Sequence, residues 1–210
     1  GAISVESPMW VPPFREKGHP LIKNAELVIT VGYDAAELNP ESWNPSNDKQ
    51  IIHIDFQQSE PHPNYRPAVQ IEADIRETIE KLGRRELLSG YEPEESHQKK
   101  IKEVRERWQE AIDKYENHYN FPLKPQRIIS AIRKVMGKSD ILIADAGQNK
   151  ISVAEYYSVY RPNTLFIHNQ LASMGTAVGG AIGAKLARPK QRVIAICGDG
   201  GFAMTSQEVA

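Results

Sequence analysis

Short apolar runs rich in β-branched residues recur along the chain, separated by polar or glycine-containing turns. Such runs are typical of strands in a parallel sheet. They predict strands over residues 26–34, 50–55, 68–71, 140–145, 164–167 and 193–197. Helical spacing and start signals predict helices over residues 20–24, 74–82, 99–119, 125–137, 176–187 and 202–210. This alternation indicates the α/β class, with parallel sheets and flanking helices.

Two of the predicted helices carry clear signals of their own. Asp74 is a plausible N-cap for the helix that follows it. Pro125 is placed to begin another helix, in which the apolar positions share one face. That face would consist of Ile128, Ile129, Ile132 and Val135.

The clearest strand–turn–helix pattern is RVIAICGDGGFAMTSQE, at residues 192–208. The apolar run that ends at Cys197 predicts a strand buried on both faces. Gly198–Gly201 (the glycine turn) then allows a tight turn and a close approach of backbone N–H groups to a ligand. An open α/β sheet builds a phosphate site in this way, at the carboxyl end of a strand.

Asp199 within the glycine turn leaves two interpretations open. A carboxylate beside a diphosphate needs a cation between them, and Mg²⁺ or Ca²⁺ prefers such oxygen ligands. Alternatively, the turn is an ordinary connection in which Asp199 only caps the next helix. That helix is predicted from Phe202, with Thr205 or Ser206 as its N-cap.

Composition narrows the class of protein. The 210 residues carry a formal net charge of −1, which suggests neither nucleic acid nor a polybasic membrane surface as a partner. Cys197 is the single cysteine, which excludes a disulfide framework and a cysteine-based zinc site. Its place in an apolar run favours a buried core residue over a nucleophile.

Targeting signals are not evident in the sequence. The apolar runs are too short to span a bilayer and no signal peptide precedes them, so we expect a cytoplasmic protein. Because the chain starts without methionine and stops inside a predicted helix, we also expect it to be a piece of a longer polypeptide.

The first half of the chain offers little chemistry. Gly32 and Asp55 follow two strands as in a dinucleotide fold, but no G-x-G-x-x-G is present, so a nicotinamide site is not expected. His53 is interpreted as a core or edge histidine rather than a ligand. Trp10 and Phe14 could face a substrate, although packing on the nearest core is the favoured interpretation.

Several stretches together resemble one enzyme family. GDGGFAMTSQE, from Gly198, resembles the diphosphate-binding motif of thiamine diphosphate enzymes, in the acetolactate synthase and pyruvate oxidase branch; the asparagine that closes this motif would follow Ala210. ELVITVGYDAAELNPESWN and IIHIDFQQSEPHPNYRP resemble the central domain of catabolic acetolactate synthases, which need no FAD. Flavin-dependent relatives usually have Asp-Asp-Arg where this chain has Tyr33-Asp34-Ala35, so FAD is not expected.

The resemblance implies a domain organisation. Residues 1–84 would be the rear part of a central, Rossmann-type domain like that of deoxyhypusine synthase (DHS), and residues 85–121 a helical linker. Residues 122–210 would be the front part of the thiamine diphosphate-binding domain.

The resemblance also implies site residues in the last third of the chain. Asp199 would hold Mg²⁺ together with the downstream asparagine, while Gly198, Gly200 and Gly201 would bind the diphosphate. Gln148 would border the diphosphate and the substrate pocket and act in catalysis. Asn149 stands where the family usually has histidine; it could donate a hydrogen bond to a phosphate but could not carry a proton.

Two further positions concern the bent shape of the cofactor. By resemblance, Met174 is the apolar wedge that bends thiamine and so acts in catalysis; without the resemblance it would be interpreted as a core residue. Ala172 would offer its backbone carbonyl to the aminopyrimidine. The family usually has glycine there, and alanine is acceptable if its φ is negative.

The implied activity is that of an acetolactate synthase-like carboligase, a transferase of branched-chain amino acid or acetoin metabolism. Pyruvate would be decarboxylated on thiamine diphosphate, and the resulting enamine would add to a second 2-oxo acid to give 2-acetolactate. A neighbouring subunit of a homodimer or homotetramer would supply the pyrimidine-binding domain, so these residues alone should be inactive. The alternatives are another thiamine enzyme, such as pyruvate oxidase, and a non-catalytic nucleotide-binding or assembly module.

Overall fold

The structure, a computed structural model, describes residues 3–13, 19–84, 94–169 and 171–209. The chain divides into two compact units, a smaller one of residues 14–97 and a larger one of residues 1–13 with 98–210. The predicted partner of Trp10, Phe14, lies outside the described residues.

The smaller unit contains a three-stranded parallel sheet in the order β1-β2-β3. Its elements are α1 (Pro20–Lys23), β1 (Leu27–Val31), a 3₁₀ turn (Pro40–Ser42), β2 (Gln50–Asp55), β3 (Val69–Glu72) and α2 (Ile75–Leu82). The bounds of β2 are those predicted. Asp74 accepts a hydrogen bond from the Glu77 N–H at 2.9 Å, which confirms it as the N-cap of α2.

One face of this sheet packs against an aromatic cluster of Trp43 and Tyr65 over Ile51. His53 lies beneath it, with Nδ1 at 2.7 Å from the Tyr65 hydroxyl and Nε2 at 3.3 Å from the Gln57 carbonyl oxygen. His53 is buried, so the prediction of a hydrogen-bonded core histidine is confirmed. The opposite face is apolar but largely exposed along β1.

The helix predicted over residues 99–119 runs from Glu95 to Glu116 (α3). It therefore begins four residues before the predicted start and ends three residues before the predicted end. Trp10 packs edge-on against Trp108 of this helix, with ring centroids 5.1 Å apart. Arg105 donates to the carbonyl oxygens of Val5 and Ser7. The first residues therefore pack with the larger unit, and Trp10 packs on the nearest core, as favoured.

The larger unit is built on a second parallel sheet, with strand order β5-β4-β6. Its remaining elements are α4 (Pro125–Val135), β4 (Ile141–Ala144), α5 (Gln148–Tyr156), β5 (Leu165–Ile167), α6 (Thr176–Ala187), β6 (Val193–Ile196), α7 (Asp199–Thr205) and a 3₁₀ turn (Ser206–Val209). Pro125 begins α4 as predicted.

One prediction about burial in this unit is wrong. β4 is the fully buried central strand, whereas β6 is only half-buried, because among the described strands it pairs with β4 alone. In α4, Ile129 is buried and Ile132 packs beside it, but Ile128 and Val135 are exposed. The apolar stripe of α4 is thus wider than its contact with the described core.

Among the helices that the structure describes, none is long and apolar enough to cross a membrane.

Candidate functional site

Three connections of the larger unit leave the carboxyl ends of its parallel strands. Asp145–Gln148 follows β4, residues 171–175 (the Met174 segment) come after β5, and the glycine turn follows β6. Because parallel strands end at the same edge of the sheet, these connections meet there. All of the site residues predicted from the sequence lie on them or in the first turn of the helices that follow.

The glycine turn differs from its prediction. It is the first turn of α7, with Gly198 as N-cap, and the Phe202 N–H donates to the Gly198 carbonyl oxygen at 2.9 Å. Thr205 and Ser206 lie at the end of this helix, so neither is its N-cap.

Asp199 is the first residue of α7 and is exposed. Its Oδ1 accepts a hydrogen bond from the Gly200 N–H at 2.9 Å. The carboxylate therefore folds back on its own turn while remaining open to solvent, where a cation could reach it. Among the described residues there is no group of three or more His, Cys, Asp or Glu side chains that could hold a metal ion by themselves.

Met174 and the glycine turn are brought together. The Met174 side chain is half exposed, and a Cβ built on Gly200 would lie 3.0 Å from its Cε. A side chain at Gly200 would thus push Met174 aside. Met174 thus packs closely against a turn that carries no side chain at Gly200.

Asp145 is a residue that sequence reasoning missed. Its carboxylate is fully buried; Oδ2 accepts from the Gly175 N–H at 2.8 Å and Oδ1 from the Thr176 hydroxyl at 3.2 Å. A Cβ on Gly201 would lie only 2.0 Å from Oδ2. The available signal was an acid directly after an apolar strand.

Gln148 is the first residue of α5 and is exposed at the same edge of the sheet. The preceding Gly147 has a φ of 104°, a conformation that favours glycine. This turn directs the start of α5 toward the site.

Asn149 uses its amide group within the protein. Its Nδ2 donates to the backbone carbonyl oxygens of Asp145 at 2.8 Å and of Ile196 at 3.1 Å. The side chain thereby ties together the ends of β4 and β6. In this arrangement both amide hydrogens are engaged, so the predicted donation to a phosphate would require the side chain to change partners.

The condition attached to Ala172 is not met. Its φ is 40°, in the left-handed region that alanine adopts at a cost of roughly 1–2 kcal/mol. Ala172 therefore adopts a backbone conformation that glycine would adopt without this cost.

Cys197 directly follows β6 and packs, partly buried, against the core cluster of Ile141, Ile143 and Ala177. Burial, and then the nearby Asp145 carboxylate, raise the pKa of its thiol. A raised pKa keeps the thiol protonated, which supports the interpretation of a packing residue over a nucleophile.

Comparison with known proteins matches both halves of the chain to one family. Residues 8–82 match the central domain of the thiamine pyrophosphate enzymes, and residues 145–210 match their C-terminal TPP binding domain.

Individual relatives indicate the branch. The chain is 33% identical over 196 residues to the catabolic acetolactate synthase of Raoultella terrigena, covering 92% of this chain and 34% of the relative. It is 29% identical over 194 residues to the acetolactate synthase of Bacillus subtilis (strain 168), with 92% and 34% covered. The chain belongs to the thiamine diphosphate-dependent acetolactate synthase family. It spans about a third of the length of these two relatives, 34% in each case.

A third relative matches a smaller part of the chain. The probable acetolactate synthase large subunit of Methanocaldococcus jannaschii is 31% identical over 167 residues, which is 77% of this chain and 28% of that protein. The two parallel sheets agree with the central and cofactor-binding domains of the family. The expected α/β class is therefore confirmed.

Proposed function

We propose that these residues form part of an acetolactate synthase that joins two 2-oxo acids, the first of them pyruvate, to give 2-acetolactate. The observation that carries the proposal is the meeting of Met174 and the glycine turn at one edge of the sheet, within a chain of this family.

The residues at this edge fit thiamine diphosphate. The glycine turn begins a helix and carries no side chain beyond Asp199, so a diphosphate could approach its backbone closely. A half-exposed thioether faces the same turn, which suits an apolar ring. The exposed carboxylate offers one oxygen ligand of the kind that Mg²⁺ prefers.

Each residue then has a proposed role. Asp199 would hold Mg²⁺, and Gly198, Gly200 and Gly201 would lie against the diphosphate. Met174 would support the bent cofactor and Ala172 would present its carbonyl oxygen to the aminopyrimidine. When bound, the cofactor supplies a carbon nucleophile and a sink for the electrons released on decarboxylation.

Gln148 would orient the substrate. It is exposed where α5 begins, and its amide can donate and accept hydrogen bonds. Asn149 would act indirectly, by holding the backbone at the ends of β4 and β6, and Ala172 would act through its own carbonyl oxygen. A proton transfer by a side chain at position 149 is not proposed, because an amide does not titrate.

Independence from FAD, a homo-oligomeric assembly and a cytoplasmic location stay predictions. The assembly would complete the site with the pyrimidine-binding domain of a neighbouring subunit.

The test is an assay of the full-length protein with pyruvate, thiamine diphosphate and Mg²⁺. We expect carbon dioxide and 2-acetolactate in equal amounts, and no flavin in the purified protein. Carbon dioxide with acetyl phosphate or acetate, in a flavin-containing protein, would indicate an oxidase instead. No turnover despite bound cofactor would contradict the proposal.

A further inference from the structure

The carboxylate of Asp145 occupies an unusual position for a charged group. It is fully buried at the carboxyl end of β4, and burying a charge is costly unless hydrogen bonds and favourable fields compensate it. The compensation comes from the Gly175 N–H and the Thr176 hydroxyl, at 2.8 and 3.2 Å. Both residues belong to the start of α6, whose positive dipole end favours an anion.

The bond to Gly175 acts directly on Met174. The N–H that Asp145 accepts belongs to the peptide group joining Met174 to Gly175, so the bond fixes the plane of that peptide. Gly175 has a φ of 86°, and a Cβ there would lie 2.8 Å from Thr205 Cγ2. The backbone of Gly175 is therefore fixed by the Asp145 carboxylate at its N–H and by the Thr205 side chain next to its Cα.

The same carboxylate sets the position of the glycine turn. Oδ2 would be 2.0 Å from a Cβ on Gly201, so the α7 backbone packs directly onto the carboxylate. The Thr205 hydroxyl adds a second link between α7 and the Met174 segment, because it lies 3.3 Å from the Gly175 carbonyl oxygen. One buried group thus contacts both the Met174 segment and the glycine turn.

We propose that Asp145 is a positioning residue that holds the Met174 segment and the glycine turn at the separation the cofactor requires. This inference rests on the proposed function. Asp145 itself would not touch the cofactor; it acts through the Met174–Gly175 peptide and the backbone of Gly201.

Three substitutions of Asp145 distinguish the effect of the side chain's length and hydrogen bonds from the effect of its negative charge. Asp145→Asn keeps the length, can accept from Gly175 and can donate to the Thr176 oxygen. Asp145→Glu keeps the charge, but its extra methylene pushes the carboxylate toward Gly201. Asp145→Ala removes both hydrogen bonds. Thr164→Val is the matched control, because it removes a buried hydroxyl that donates to the Arg161 carbonyl oxygen at 2.7 Å, at the amino end of β5.

The measurement is calorimetric titration of the full-length variants with thiamine diphosphate and Mg²⁺, alongside their melting temperatures without cofactor. We expect Asp145→Ala and Asp145→Glu to bind about tenfold or more weakly at temperatures where they are folded. Asp145→Asn should stay near wild type, and Thr164→Val should lower only the melting temperature.

Wild-type affinity in Asp145→Ala or Asp145→Glu, with a melting temperature lowered as in Thr164→Val, would overturn the inference and reduce Asp145 to a structural residue. If Asp145→Ala does not fold, the Asn and Glu variants decide, since equal affinities would also overturn it. No binding by the wild-type protein would instead overturn the proposed function, and the inference with it.

Discussion

At the scale of single residues, the candidate site depends on two glycines that cannot be replaced without strain or a clash, and on one alanine in a conformation that favours glycine. Gly201 has no room for a side chain because of Asp145, and Gly175 takes a left-handed conformation. Ala172 takes such a conformation too, although it carries a methyl group. Among the described residues that are neither glycine nor asparagine, Ala172 alone has a positive φ, so the segment that carries Met174 is strained at this residue, as is common at functional sites.

Replacing Ala172 by glycine tests this strain. The substitution relieves roughly 1–2 kcal/mol of steric cost but gives back about 0.4–1 kcal/mol of unfolded-state entropy. We expect it to be neutral or to stabilise by up to about 1.6 kcal/mol, measured by denaturant unfolding. Ala111→Gly, at an exposed position within α3, is the control and should destabilise by about 1 kcal/mol. An equal decrease in the free energy of unfolding in both variants would contradict the claim that Ala172 is strained.

Asn149 provides a second test at this scale. Because its amide bridges the ends of β4 and β6, Asn149→Ala should lower the free energy of unfolding by about 1–3 kcal/mol without any cofactor present. Asn149→Asp should cost more, since a carboxylate would face two carbonyl oxygens. The exposed Asn120→Ala serves as the control. A loss of stability that appears only with cofactor bound would instead favour Asn149 as a hydrogen-bond donor to a phosphate oxygen.

At the scale of elements, hydrogen bonds between distant residues fix where strands and helices begin. Asp140 precedes β4 and accepts from the backbone N–H groups of Gly137 at 2.7 Å and Arg192 at 3.0 Å. It thereby ties the end of α4 to the start of β6. Burial alone would raise the pKa of Asp140, but these N–H groups and the Arg192 cation lower it below its ordinary value of 3.8.

This shift predicts a dependence of stability on pH. Since the folded pKa is below the unfolded one, the stabilisation by Asp140 is fully present above the unfolded value and is lost as the pH falls through the folded value. The difference in unfolding free energy between wild type and Asp140→Asn should therefore shrink as the pH drops below about 4. Urea unfolding between neutral and acidic pH measures it, with Asp113→Asn as a surface-charge control. A constant difference would contradict the assignment.

At the scale of the whole molecule, patterns local in sequence predicted most of the architecture. The alternation of apolar runs and helices predicted the parallel α/β class, the bounds of β2, the cap of α2 and the start of α4 at Pro125. These features depend on neighbouring residues, so a single sequence contains them.

Features set by long-range contacts could not be predicted in the same way. The start of α7 within the glycine turn goes against the low helix propensity of glycine, and the packing of Gly201 on Asp145 overrides that propensity. The φ of Ala172 and the bonds of Asn149 likewise depend on residues distant in sequence. The sequence predicted the candidate site residues, whereas the contacts among them could only be read from the fold.

The most direct test of the central claim is calorimetric titration of the full-length protein with thiamine diphosphate, with and without Mg²⁺, in wild type, Asp199→Ala and Glu208→Ala. Glu208 is the matched control, an exposed acid in the same segment. We predict tight, Mg²⁺-dependent binding in wild type and Glu208→Ala that is lost in Asp199→Ala. Absence of binding in wild type, or binding unchanged in Asp199→Ala, would contradict the cofactor site described above.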